Sequence, residues 1–162
     1  MAMQYDVKSV HMQASGVAVN YRTRLKGSII SANAAAAARN VVYANNSTQT
    51  GTYNIPGSTV CTVTIVNHGL ATGDRVWLNF TTGSGATNNV YVVTKVTADT
   101  FTVTTASLTT NGNVTMYATI LMEVDSYNAA AFTAFIPGEG ILAENGIYVG
   151  LVANLSTTVF YG

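Results

Sequence analysis

Thr100-Phe101-Thr102-Val103-Thr104 decides the fold class. Phe101 and Val103 are set to point one way and the three threonines the other, the period of a strand with one dry and one wet face. Upstream, residues 90–96 carry Val90, Val92 and Val96 at even spacing, and Thr97-Ala98-Asp99 offers a short turn between them and Phe101. That pairing predicts a hairpin. β-branched and aromatic residues alternating with Thr, Asn or Ser mark further strands at 60–66, 75–80, 115–125, 146–151 and 157–161. Residues 31–39 are Ala-rich but lack an apolar stripe that would dock a helix. They read either as a short helix or as a loop leading into a strand at 40–44.

The expected fold is therefore all-β. Between Pro56-Gly57 and Met116, Thr-faced strands follow one another without a long connection, enough for a small closed or sandwiched module. The flanks hold most of the Ala and Tyr. The chain reads as an outer β-sandwich or jelly roll, residues 1–55 plus 117–162, interrupted by an inserted β-barrel-like module, residues 56–116. Polar loop tips tolerate such insertions.

Composition narrows the partners. Of 162 residues, 48% are hydrophobic and only 9% charged, where a soluble domain carries about 25% charged. The surface must be neutral Thr, Asn, Ser and Gly, which suits burial against protein neighbours. Net charge is zero, so neither nucleic acid nor an anionic membrane surface is an expected partner. No apolar stretch approaches the roughly 20 residues of a membrane span. The first eleven residues lack the apolar core of a signal peptide, and synthesis in the cytoplasm is expected. Cys61 is the lone cysteine, which rules out an internal disulfide and reads as a buried small hydrophobe.

Candidate chemistry is sparse. His11 and His68 have no ligand partners at metal spacing, and His68 reads as a turn residue. Gly83-Ser84-Gly85 lacks the Lys and the strand-to-helix context of a phosphate loop and reads as a hairpin tip. Glu123 and Asp125 share a strand face about 7 Å apart by the strand repeat, within the roughly 5–9.5 Å used by glycosidase carboxylates. No cleft-forming aromatic cluster accompanies them, so a solvated face is expected. Glu139 and Glu144 read as turn residues, the latter before the hairpin signal Asn145-Gly146. No cofactor, metal or catalytic residue is expected, and the chain reads as not an enzyme. One charged feature remains: Arg22, Arg24 and Lys26 recur at period two. On a strand they would form a basic ridge, a candidate dock for an acidic partner.

Two stretches carry a resemblance. Asn67-His68-Gly69-Leu70 and Gly73-Asp74, followed by Val76-Trp77-Leu78, Val90-Tyr91-Val92-Val93 and Thr100-Phe101-Thr102-Val103, resemble a β module of tailed-bacteriophage structural and tail proteins. Gly146-Ile147-Tyr148-Val149 through Thr157-Thr158-Val159-Phe160-Tyr161 looks like the C-terminal hairpin of small phage virion β-sandwich proteins. The resemblance implies a virion component, foremost a capsid decoration or cement protein that binds the head shell, and hence the major capsid protein, as a homotrimer. The alternative is a tail- or fibre-associated protein contacting the host surface, with Trp77 and Tyr91 as a sugar platform. A glycan hydrolase is the remote third reading.

Overall fold

The computed structural model describes residues 7–32, 39–126, 131–152 and 155–162. Among them the regular structure is entirely strand, fourteen in number. The helix-or-loop alternative at 31–39 falls mostly on 33–38, outside the described residues, but the strand expected after it is present as Arg39–Asn45. Two compact units divide the chain: Met1–Asn46 with Leu121–Gly162, and Ser47–Ile120.

The first unit holds two sheets. One runs β1 (Lys8–Met12), β14 (Leu155–Tyr161), β3 (Thr23–Ala32), β11 (Phe132–Phe135), with β12 (Ile141–Ala143) also paired to β3. The other runs β10 (Ile120–Ser126), β4 (Arg39–Asn45), β13 (Ile147–Leu151), β2 (Gly16–Val19). Leu25, Ile30, Leu155 and Val159 of the first sheet meet Val41, Tyr43, Ile147 and Val149 of the second in one buried cluster. Each such side chain contributes about 1.5–3 kcal/mol by leaving water. This is the packing of a β-sandwich. Tyr43 completes it with a polar anchor, its phenol 2.7 Å from the Thr157 hydroxyl.

β3 changes face midway. Thr23 and Leu25 are buried in its first half, Ser28 and Ile30 in its second. The switch occurs where Phe160 opposes Gly27 but Tyr161 opposes Leu25, leaving Lys26 as the extra residue of a bulge. Period-two spacing at Arg24 and Lys26 therefore does not produce one ridge.

The second unit is built on a long ribbon, β5 (Thr48–Thr64) against β9 (Thr100–Tyr117). β6 (Arg75–Phe80) pairs with one end of β9 and with β7 (Asn89–Val92), and β8 (Thr94–Lys95) pairs with the other end. A straight strand would place residues 51 and 64 about 43 Å apart at 3.3 Å per residue, yet Gly51 lies directly against the Thr64 carbonyl and Ile65. The ribbon is thus folded double. The fold-over coincides with register shifts between Pro56 and Val60 and with Gly57 at φ 76°. Pro56-Gly57, read from the sequence as a boundary, is a bend inside β5. Ile55, Val63, Phe101, Val103, Val76, Leu78, Val114 and Met116 fill the space between the layers. The sheet path is open, so the expected barrel-like module is a folded ribbon and not a closed barrel.

The predicted hairpin holds only in part. Thr94 and Lys95 oppose Thr102 and Phe101, but residues 89–92 pair with β6 instead. Val93 marks the break: its N–H donates to the Asp74 carbonyl and its carbonyl accepts from Gly73 N–H, both at 2.8 Å. Val93 is buried as a result, while Val92 and Val96, expected on the dry face, are exposed. His68 sits in the expected turn. Its Nδ1 accepts from Leu70 N–H at 3.1 Å, its Nε2 lies 3.2 Å from the Thr97 carbonyl, and its ring meets Phe101 edge-on.

Candidate functional site

The three basic residues singled out in the sequence do not all lie at one place. Arg22 precedes β3, and its Nε lies 2.9 Å from Glu144 Oε2 with both side chains largely exposed, a pairing worth little on its own. Arg24 is held at the backbone, donating to the Gly162 carbonyl at 3.0 Å and accepting from Gly162 N–H at 3.2 Å. Its Nη1 also donates to the Gly140 carbonyl at 3.3 Å. Lys26, displaced by the bulge, lies in a separate hollow with Val7, Phe135, Ile136 and Phe160.

Arg22 and Arg24 instead share a pocket of about 280 Å³ with Lys8, Tyr21, Leu142 and Tyr161. Lys8 reaches it because β1 and β14 pair with Lys8 opposite Tyr161. The Tyr21 and Tyr161 rings meet edge-on at 6.4 Å. A hydrogen bond with Tyr21 holds the Tyr161 phenol above its ordinary value. Three of the seven Lys and Arg residues of the chain converge here, and one of them, Arg22, is ion-paired with Glu144. Planar guanidinium, ammonium and phenol donors around a small cavity suit a carboxylate, which accepts several hydrogen bonds at once. Lys8, Tyr21 and Tyr161 were missed in the sequence reading. Lys8 and Tyr161 stand at opposite ends of the chain, and only the pairing of β1 with β14 brings them together.

The remaining candidates fall elsewhere. Glu123 accepts from Asn40 Nδ2 at 3.3 Å on β10, while Asp125 is exposed. Glu144, expected as a turn residue, also pairs with Arg22. Glu139 is exposed in a turn whose flanking glycines have φ 71° and 79°. His11 Nδ1 is 3.0 Å from the Thr158 hydroxyl. Trp77 is fully buried, and Tyr91 packs edge-on against Phe80 with its phenol donating to the Thr87 carbonyl. The sugar platform expected on Trp77 and Tyr91 does not exist, because an indole with no exposed face cannot stack on a ligand.

No family model matches the chain, and no curated protein matches it in sequence. Among solved structures it is similar to the phage phi92 endosialidase, at 22% identity and a TM-score of 0.33, over 80% of this chain and 20% of that one. The chain thus spans about a fifth of that protein's length. The protein so named is an enzyme, and the expectation that this chain is not one is withdrawn on that finding. Endosialidase activity remains a property of the longer protein.

Proposed function

We propose that the chain is a bacteriophage virion protein that seats on a neighbouring particle protein by receiving an acidic side chain in the pocket of Lys8, Arg24 and Tyr161. The observation that carries this reading is the gathering of cations at one pocket in a chain that is 9% charged. A neutral surface offers little else to specify a charged contact. An apolar surface on the same unit supports protein docking: Phe135 is 76% exposed, with Ile29 and Val7 also exposed. Gly27 stands opposite both Phe135 and Phe160, and a Cβ there would meet the Ala134 carbonyl and the Phe135 backbone. An apolar contact flanked by charge is the make-up of a specific interface.

The finer reading is decoration of the head shell, with the major capsid protein as partner and the protein as a homotrimer. The test adds purified protein to particles lacking it. Arg24→Glu with Lys8→Glu should abolish occupancy, because reversing a buried interfacial charge leaves the partner acid unpaired and costs about 2–5 kcal/mol. Lys26→Glu, outside the pocket, should cost far less. Equal occupancy by the double variant and the wild type would overturn the proposal.

A further inference from the structure

The second unit carries a hollow of different chemistry. On the outward face of its sheet, Thr50 opposes Thr115 and Thr52 opposes Asn113. Thr81 continues the second row, its N–H donating to the Asn113 carbonyl at 2.9 Å. These side chains line a groove of about 460 Å³ without a charged group. Rows one strand apart are about 4.8 Å from each other, and successive outward residues about 6.7 Å. Among the described residues the hydroxyls of Thr50, Thr52 and Thr115 make no hydrogen bond within the protein. They offer both donors and acceptors to whatever lies in the groove.

The loop that follows Thr81 is fixed in advance. Tyr53 donates its phenol to the Thr82 carbonyl at 2.9 Å, and Asn113 N–H donates to the Thr82 hydroxyl at 2.7 Å. A Cβ on Gly112 would strike Thr82, and one on Gly83 would strike the Tyr53 phenol, so the loop lies tightly against the ribbon. Preorganised walls lower the entropy cost of binding.

The chemistry selects the ligand class. With no cation the groove has nothing to neutralise a phosphate or carboxylate, and with no anion it has nothing to hold a basic peptide. Its hydroxyl lining would waste desolvation on an apolar ligand. A ligand rich in neutral hydroxyls satisfies each of these conditions. We propose that this groove binds a neutral oligosaccharide, independently of the basic pocket on the other unit.

The experiment is retention of the full chain on an array of neutral and acidic oligosaccharides, followed by NMR titration with the best-retained one. Neutral glycans should be retained. Thr50→Val with Thr115→Val keeps the side-chain shape, removes two hydroxyls and should weaken binding at least tenfold. Thr52→Val alone should weaken it severalfold and serves if the double variant does not fold. Arg24→Glu should leave it unchanged, which separates this site from the docking pocket. Retention of acidic glycans alone, no retention at all, or undiminished binding by the folded valine variants would overturn the proposal.

Discussion

Cys61 is fully buried on β5, and burial pushes its thiol up to about 11. Tyr91 is pushed up to about 12, first by burial and then by its proximity to Cys61. In both cases the fold favours the protonated form, so the stabilisation is complete below the unfolded values of 9.0 and 10.0. It is lost as pH rises through the folded values. Urea denaturation should therefore show stability falling between about pH 9 and 12, more steeply in the wild type than in Cys61→Ala. At pH 8 a thiol reagent should leave the folded protein unlabelled and modify Cys61 fully in urea. Rapid labelling without denaturant would contradict the burial. At this scale Cys61 and His68 were legible in the sequence, because a small residue among strand valines and a His-Gly pair in a turn are local signals. The pocket was only half legible. Arg22 and Arg24 stand close together in the chain, whereas Lys8 and Tyr161 meet only through the pairing of β1 with β14.

β5 shows what alternation reveals about an element and what it hides. Val63, Phe101 and Val103 face inward as the period-two pattern predicts. The fold-over of the ribbon is different, because it depends on an approach between Gly51 and Thr64, thirteen residues apart on the same strand. Gly51→Ala should force that approach open, since the added carbon meets backbone and not a flexible side chain. We expect a loss of more than about 2 kcal/mol, the range for overpacking that backbone must absorb, with the second unit's transition shifted in calorimetry. An unchanged transition would show that the two halves of β5 do not touch. Irregularities explain the misread faces. The break at Val93 turns Val92 outward, and the bulge at Lys26 parts it from Arg24. Neither leaves a mark in the polar–apolar pattern, since a single extra residue only shifts its phase.

For the whole molecule, the all-β class was legible because alternation recurs along the chain and both units answer to it. The layering inside the second unit was not, since the ribbon of β5 and β9 doubles back at register shifts that alternation does not mark. The central claim is that this chain docks in a virion through its basic pocket. The most direct test is a cryo-electron reconstruction of the intact phage particle, locating any copies of the chain and the groups facing Lys8 and Arg24. The account predicts copies in threefold clusters on the head shell, each with a carboxylate of a neighbouring protein within hydrogen-bond distance of Arg24. Copies whose pocket opens only to solvent, or particles without the chain, would contradict it.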